Sequence, residues 1–333
     1  MDEYEHDHSH HHHPSRRDVL ATLGLVPAAF VAGSAWAVEN AVTISEEGGM
    51  RVIRSNGIPD HATGQFPNRH NPNRISAQNY TFRIDAHPSK MGRFTPLEHG
   101  NFGVAMNGIP FDPFTVEYWQ RNRQSGWRYE AMTGKVDLGL DSNNAHVQPN
   151  GAYHYHGLPV DLVKRWSMDH HSGLIGYAAD GFPIYAMYGF SGGRVGDEIR
   201  PMRSGWRLKH GSRPSGGPGG SYDGTFVEDF EFIDGAGDLD AANGRETQTP
   251  EFPNGTYAYF LTDSYPFIPR YFAGRPDDTF RHGPPGGGMG GGMPGGMPGG
   301  MPGGPPNGPP NGPMGGGRPG MPPPPGMPPL PRG

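Results

Sequence analysis

HVQPNGAYHYHG, residues 146–157, is the stretch from which the local fold of this chain can be read most directly. Asn150-Gly151 is a dipeptide typical of a tight hairpin turn, and aromatic and imidazole side chains alternate after it. Because successive side chains of a strand point to opposite faces, His154 and His156 are predicted to share one face and the intervening tyrosines the other. The turn is predicted to bring His146 back to the face of the two histidines.

Three histidines placed in this way form a ligand set for a metal ion. Zinc commonly takes three protein ligands plus water, and imidazole also suits copper. The chain has no cysteine, which excludes thiolate zinc sites, iron–sulfur clusters and type-1 copper. We therefore predict a copper or zinc site at His146, His154 and His156, with an affinity that falls below about pH 6, near the ordinary pKa of histidine. The alternative is a hydrogen-bonded polar core without metal.

Residues 1–37 have the three parts of a signal peptide. Arg16-Arg17 form the charged region, Val19 to Gly33 an apolar run, and Ala35-Trp36-Ala37 a small-x-small cleavage site. The paired arginines resemble a twin-arginine (Tat) signal. The apolar run is too short to span a bilayer comfortably, which argues against a permanent membrane span. We expect export by the Tat machinery, cleavage near Ala37, and a mature protein in the periplasm or outside the cell.

Residues 283–333 form a tail of Gly, Pro, Met and Asn with almost nothing else. Such a composition cannot bury enough apolar surface to fold, so the tail is predicted to be disordered. Its methionines begin as a four-residue repeat from Met289 to Met301, and thioethers bind Cu(I). The alternative is a low-complexity spacer. The formal net charge of −6, with no basic stripe, argues against nucleic acid as the main partner.

Residues 80–282 carry short strand signals separated by Gly, Pro and Asn turns, with hardly any helix. This pattern predicts a mainly β single domain, an irregular β-sandwich or barrel-like fold with few short helices. Residues 38–79 are assigned to an N-terminal extension. The predicted strands are Tyr80 to Ile84, Phe102 to Met106, Ile109 to Phe114, Leu174 to Ala178, Phe182 to Met187 and Thr256 to Leu261. A helix is predicted at Val160 to Trp166.

Two acidic features suggest further sites. Asp234, Asp238, Asp240 and Asn243 lie within ten residues on a glycine-punctuated loop, and hard oxygen ligands at short spacing suit Ca²⁺. Their order does not match an EF-hand, so the alternative is an Asx-turn loop whose carboxylates cap backbone amides. Asp180 begins an Asp-Gly hairpin turn, and it either serves that turn or orients a metal-bound histidine.

Several motifs of the chain resemble the YHYH domain family, which is named for the tetrapeptide at Tyr153 to His156. They are GAYHYHG at 151–157, LIGYAADGFPIY at 174–185, DLDAANGR at 238–245 and TPEFPNGTYAYFLT at 249–262. The similarity runs from about Tyr80 to Phe280 and implies a shared fold, a shared histidine strand and export. Some members carry cysteines near these motifs where this chain has residues such as Ala242, so a thiolate or disulfide role does not transfer. The resemblance implies no reaction.

Three functions are compatible with the sequence. The first is an exported metal-binding protein that uses the histidine strand. The second is a metal-dependent envelope enzyme of unknown substrate, in which the ion keeps one coordination position open. The third is a non-metal binding module for an envelope polymer or protein partner, which uses exposed aromatic residues such as Trp119, Trp127 and Trp206.

Overall fold

The computed structural model describes residues 38–282, so the predicted signal peptide and the predicted tail lie outside the described residues. Most regular structure within them is β-strand, which confirms the mainly β prediction, and none of their sheets closes into a barrel. The strands are β1 (Val42–Glu47), β2 (Met50–Ser55), β3 (Tyr80–Asp85), β4 (Thr95–Pro96), β5 (Gly103–Ala105), β6 (Pro110–Phe111), β7 (Ala145–Val147), β8 (Tyr153–Tyr155), β9 (Leu174–Ala178), β10 (Pro183–Tyr185), β11 (Tyr188–Phe190), β12 (Ile199–Pro201), β13 (Trp206–Leu208), β14 (Phe230–Phe232), β15 (Gly244–Thr247), β16 (Thr256–Phe260) and β17 (Tyr271–Phe272). The helical segments are α1 (Val160–Val163) and 3-10 turns at Trp119–Arg121, Arg123–Ser125, Val227–Asp229 and Asp278–Phe280. Between residues 38 and 282 no helix is long and apolar enough to cross a membrane.

An eight-stranded sheet in the order β15-β16-β10-β9-β5-β6-β8-β7 carries the central core. Two hairpins in it form where the sequence predicts them. The strands β5 and β6 pair antiparallel around Asn107-Gly108, and β9 and β10 pair antiparallel around Asp180-Gly181. Gly108 and Gly181 have φ of 80° and 95°, left-handed conformations that favour glycine. Local turn chemistry thus places four neighbouring strands of the sheet.

The strand β16 is buried more completely than its alternating sequence indicates. All residues from Tyr257 to Leu261 are buried, because β16 lies between β15 and β10 and both of its faces are covered. The strand prediction for this stretch is confirmed. Its alternation, however, does not separate a buried face from an exposed one.

The helix predicted at Val160 to Trp166 is present but ends at Val163. Within it only Leu162 is buried, so the segment has too narrow an apolar face to support further turns. A single turn also gains few of the cooperative hydrogen bonds that stabilise longer helices.

The stretch assigned to an N-terminal extension contributes strands to the fold. The strands β1 and β2 pair antiparallel, and β2 pairs in turn with β3, the strand predicted at Tyr80 to Ile84. Ile53 of β2 and Phe82 and Ile84 of β3 are buried in the same core cluster as the central sheet. These residues therefore pack with the core that supports the histidine strand.

Candidate metal centre

The hairpin that carries the histidines forms the β7 end of the eight-stranded sheet. The strands β7 and β8 pair antiparallel, with His146 opposite His154. The backbone N–H of Gly151 donates to the carbonyl of Gln148 at 2.8 Å, which closes the turn between them. Gly151 has φ of 86°, as expected for the glycine of an Asn-Gly turn. The predicted turn therefore sets the register that brings His146 to His154.

The two tyrosines of the hairpin lie on the face opposite the histidines and anchor it there. The Tyr153 hydroxyl donates to the Asp141 carboxylate at 2.7 Å. The Tyr155 hydroxyl accepts from the side-chain amide of Asn107 at 2.9 Å and lies 2.6 Å from His61 Nε2. Burial raises the pKa of both phenols, so they remain neutral hydrogen-bonding groups.

The Nε2 atoms of three histidines converge on the other face. His154 Nε2 lies 3.0 Å from His156 Nε2, which lies 3.1 Å from His146 Nε2. In a tetrahedral zinc site with Zn–N bonds of about 2.0–2.1 Å, two ligand nitrogens are about 3.3 Å apart. Two of the three separations are thus close to that spacing, and the three ligand atoms all lie within 4.8 Å of one another, so the group could hold one ion. No other group of three His, Asp or Glu side chains in residues 38–282 is close enough to hold a metal.

Hydrogen bonds at the outer nitrogens orient two of the rings. His146 Nδ1 lies 2.9 Å from the Leu138 carbonyl, and His154 Nδ1 lies 3.2 Å from the Ala152 carbonyl. Because a carbonyl only accepts, each Nδ1 carries the proton, and each Nε2 of the neutral ring then has a free lone pair. The outer nitrogen of a metal-ligating histidine is almost always held in this manner.

The third ring, that of His156, cannot satisfy both of its neighbours without a metal. Its Nε2 faces the lone pairs of His146 and His154 but carries at most one proton, so one of the two contacts lacks a hydrogen bond. Its Nδ1 is buried and has no hydrogen-bond partner among the described residues. A cation between the three Nε2 atoms removes the conflict of lone pairs, so the donor set fits a metal ion.

Burial keeps the three rings in their neutral form. His154 and His156 are only 3% and 2% exposed. Burial lowers the pKa of His154 to about 3 and the pKa of His156 well below its usual value, and neighbouring imidazoles add to both shifts. Burial also lowers the pKa of His146. Since neutral imidazole is the form that binds metals, the triad is in its binding form at neutral pH.

A small cavity opens on His154. Its volume is about 90 Å³, and its walls include Phe82, Pro110 and Phe280. His282 lines it as well. Small-molecule pockets have volumes of about 300–1,000 Å³, so this cavity has room for one side chain or a few waters rather than a substrate.

A larger cavity of about 610 Å³ adjoins the same region, although its walls do not include the three histidines. Three of its lining residues connect it to the histidine hairpin or to the smaller cavity. Glu117 acts electrostatically on His146, and the backbone N–H of Asp112 donates to the histidine strand at 2.9 Å. The third, His282, lies between the two cavities and lines the smaller one together with His154. The larger cavity has the size of a small-molecule pocket.

Asp112 is a buried carboxylate in the wall of the larger cavity, and the sequence analysis missed it. It accepts from the backbone N–H of Phe114 at 3.1 Å and, at 3.5 Å, from the side-chain amide of Gln148. Burial raises its pKa to about 7. The signal that could have revealed it is an acidic residue within the apolar run from Ile109 to Phe114, because a carboxylate is rarely buried without a specific role.

Asp180 lies apart from the triad's hydrogen bonds. Its Oδ2 accepts from the Tyr259 hydroxyl at 2.5 Å and from the Gly274 N–H at 2.8 Å, and burial raises its pKa to about 6. None of its hydrogen bonds in the described part of the chain reaches a histidine. The structure therefore supports the turn role for Asp180, together with a second role in fastening the segment at Gly274.

The acidic loop, residues 229–245, does not gather its carboxylates around a common point. Asp238 is held by Arg200 at 2.6 Å and by Arg203 at 3.3 Å. Asp240 accepts from the backbone N–H groups of two following residues at 2.9 and 3.1 Å, as an Asx-turn requires. Asp234 is exposed, and the Asn243 side chain donates to the backbone inside the core. These oxygens are used by turns and arginines, an arrangement that favours the Asx-turn alternative, and the calcium site stays a prediction.

The aromatic surface of the third hypothesis loses one member. Trp206 is buried, and its indole N–H donates to the Ala241 carbonyl at 3.0 Å. Trp119 and Trp127 are only half-buried. The expectation that all three tryptophans are exposed is therefore wrong.

The comparison with protein families bears on the whole of this region. The family model described as YHYH protein matches residues 81–274, more than half of the chain. The chain belongs to the YHYH protein family. The match includes the histidine hairpin and confirms the resemblance that the sequence motifs indicated. No curated protein and no solved structure matches this YHYH protein.

Proposed function

We propose that this YHYH protein is an exported metal-binding protein in which His146, His154 and His156 hold one copper or zinc ion. The observation that carries the proposal is the convergence of three Nε2 atoms at 3.0 and 3.1 Å. Two Nδ1 atoms bonded to carbonyls support it, since they leave the Nε2 lone pairs free for the ion. A purely hydrogen-bonded triad is disfavoured, because three neutral rings in this tautomer pattern cannot satisfy both Nε2 contacts.

The export part of the proposal rests on the sequence of residues 1–37. Paired arginines, an apolar run and Ala35-Trp36-Ala37 resemble the parts of a twin-arginine signal with its cleavage site. We expect the mature chain to begin at Val38 and to be found in the periplasm or outside the cell. N-terminal sequencing of envelope protein tests the cleavage site. Replacing Arg16 and Arg17 by lysine is expected to retain the chain in the cytoplasm.

Metal content of the exported protein tests the binding part. The protein is purified from the envelope without an affinity tag or a nickel column, and its metals are measured by mass spectrometry. We expect close to one copper or zinc per chain, lost in the His154→Ala/His156→Ala variant. His170→Ala is the matched control, because His170 is exposed and pairs only with Asp169 among the described residues. A folded wild type that contains no metal and takes up none on titration contradicts the proposal.

A metal-dependent enzyme is the second candidate, and the cavity of about 610 Å³ favours it. A substrate of ordinary size fits there, and Asp112 in its wall offers a buried carboxylate beside the histidine strand. When bound, a metal supplies Lewis-acid activation of a water or of a substrate oxygen. The test is a hydrolase and oxidase substrate screen of the metal-loaded protein against Asp112→Asn. Activity that this variant loses while it keeps its metal supports catalysis.

A further inference from the structure

Arg128 lies in the wall of the larger cavity, where two aromatic residues fix its guanidinium. Its Nε donates to the Tyr118 hydroxyl at 2.8 Å, and its Nη2 donates to the same oxygen. The guanidinium carbon lies 4.2 Å from the centre of the Phe114 ring and 5.1 Å from the centre of the Tyr118 ring. Stacking and hydrogen bonding to one hydroxyl thus set the orientation of the cation.

The guanidinium of Arg128 keeps hydrogen-bond donors that no carboxylate takes up in the described part of the chain. Tyr118 accepts from Nε and Nη2, which leaves the N–H groups of Nη1 and one of Nη2. Glu228 accepts from the backbone N–H of Arg128 at 2.8 Å rather than from its guanidinium. Nη1 and Nη2 form the end of the fork that holds a carboxylate through two parallel hydrogen bonds. An oriented arginine with that end free is a receptor for an anion.

Net charge alone does not make the cavity selective for an anion. Apart from histidines, the charged residues of its wall are three arginines and three acids: Arg121, Arg123, Arg128, Glu98, Glu117 and Asp112. The ion pairs found within residues 38–282 involve other side chains. Asp112 accepts from the Phe114 backbone and from Gln148 instead. Selectivity therefore depends on the fixed guanidinium of Arg128.

Apolar and aromatic side chains make up another part of the same wall. Phe114, Tyr118 and Tyr129 line the cavity, and so does Val116, whose side chain is 89% exposed. An apolar group of a ligand that covers Val116 removes this surface from water, which is favourable. Mostly apolar walls with a few well-placed polar groups are typical of small-molecule sites. The wall therefore suits a molecule with an apolar body and one anionic group.

The backbone at the rim of the cavity is strained. Gln120 and Arg121 have φ of 54° and 56°, in the left-handed region that residues other than glycine rarely adopt. Both residues line the cavity. Such conformations are costly, and they cluster at binding and catalytic sites, where the surrounding structure maintains them. The strain is therefore located where Arg128 indicates a ligand site.

We propose that the larger cavity binds a small organic acid, whose carboxylate is held by Arg128 and whose apolar body lies against Val116 and Tyr129. The planar guanidinium matches a carboxylate, and its fixed orientation reduces the entropy lost on binding. The volume of about 610 Å³ has room for a single-ring acid. This site goes beyond the metal site of the proposed function and does not depend on it. For the metal-dependent enzyme, the second candidate, it defines the class of substrate.

Fluorine NMR with para-fluorobenzoate as the probe tests the site in the exported full chain. We expect saturable binding of this acid. The neutral amide para-fluorobenzamide has the same ring without the charge, so it is expected not to bind. Acetate and inorganic phosphate are anions without an apolar body, so they are expected to displace the probe only at much higher concentrations.

Substitutions at Arg128 and Val116 locate the probe in the cavity. Arg128→Lys keeps the charge and removes the fork, so affinity is expected to fall at least about tenfold. Arg74→Lys is the matched control, because Arg74 is exposed and lies outside the cavity wall. Val116→Glu adds a negative charge to an exposed position and is expected to weaken binding at least about threefold. Val195→Glu, at an exposed position outside the wall, should leave the affinity unchanged.

Several results would overturn the inference. They are an unchanged affinity in Arg128→Lys, an equal loss in Arg74→Lys, binding of the neutral amide as tight as that of the acid, and phosphate binding tighter than that of the acid. The His154→Ala/His156→Ala variant is expected to lose its metal and keep its affinity for the probe. A wild type that binds the probe without metal contradicts only the proposed function, whereas one that binds metal and no probe contradicts only this inference.

Discussion

The histidine hairpin (residues 146–157) and the acidic loop (residues 229–245) both concentrate metal-ligand side chains, yet only the hairpin brings them together. In the hairpin, three Nε2 atoms converge at 3.0 and 3.1 Å. In the loop, Asp238 is held by arginines and Asp240 by backbone amides. Spacing in sequence therefore predicts a metal site only where a regular element directs the side chains to one point.

The difference has a physical cause in the backbone. A strand points every second side chain to the same face, and antiparallel register adds the residue directly opposite. A glycine-rich loop imposes no such period, so each carboxylate takes the nearest donor. Asp240 finds the N–H groups of Ala242 and Gly244, and Asp238 finds the guanidinium of Arg200. Side chains that can bind metals thus end in ligation geometry in one region and in capping geometry in the other.

The effect of added metal ions on stability should give the largest difference between the two regions. Zinc at a thousand times its dissociation constant is expected to raise the free energy of unfolding of the metal-free protein by about 4.1 kcal/mol. Calcium at the same concentration is expected to give no gain. Urea titrations with each ion measure both values. His156→Gln should lose the zinc gain, and His170→Ala should keep it. A gain from calcium that Asp240→Asn abolishes would reverse the assignment of the two regions.

Removing a loop carboxylate should affect stability and leave metal binding intact. Asp238→Ala leaves Arg200 and Arg203 without their shared partner, and charged hydrogen bonds contribute about 1.5–3 kcal/mol each. We expect a loss of this size in the free energy of unfolding, measured in urea. Asp234→Ala is the control and should stay within about 0.5 kcal/mol, because Asp234 is exposed. A drop in zinc affinity for Asp238→Ala would contradict the separation.

Straining the hairpin turn should weaken both stability and metal binding. Gly151→Ala forces a left-handed conformation that costs about 1–2 kcal/mol, and its methyl group would overlap the Ser76 hydroxyl. We expect the free energy of unfolding to fall by at least that amount and zinc affinity to fall with it. Gly49→Ala has a similar φ of 77° with open space around it. It should cost stability alone, so equal zinc losses in both variants would show that the His146 register does not matter.

The two regions should respond to pH in opposite directions in the metal-free protein. Burial lowers the pKa of His154 to about 3, so the unfolded chain binds more protons below about pH 6.5 and stability falls as pH drops. Burial raises the pKa of Asp240 to about 6, so the folded chain binds more protons than the unfolded chain between about pH 4 and 6. The contribution of Asp240 to the free energy of unfolding therefore falls as pH rises from about 4 to 6.

Variants of the two groups test these signs. Relative to wild type, His154→Gln should gain stability as pH falls below about 6.5. Asp240→Asn should gain stability relative to wild type as pH rises through its own window. Melting temperatures across the pH range measure both differences. Parallel changes in the two variants would show that burial does not control these groups as described.

Local chemistry explains why the hairpin was predictable. Alternation, one Asn-Gly turn and antiparallel pairing are all encoded within residues 146–157, so the shared face of the histidines follows from the sequence. The paired strands around Asp180-Gly181 were predictable for the same reason. The burial of both faces of β16 was not, because it depends on strands that lie beside it only in the folded sheet.

Long-range pairing explains what the sequence did not reveal. Asp112 reaches the histidine strand because Phe111 pairs with Tyr155, more than forty residues away. His282 reaches the cavity beside His154 only in the folded chain. The ion pair between Asp238 and Arg200, which engages a carboxylate predicted as a calcium ligand, likewise joins separate segments. No local period in the sequence encodes any of these contacts.

The most direct test of the triad is anomalous diffraction from crystals of the protein loaded with zinc or copper. One strong peak is predicted at a position about 2.0–2.1 Å from the Nε2 atoms of His146, His154 and His156, with none in the acidic loop. No peak between the three histidines, or a peak held by Asp238 and Asp240, would contradict the account.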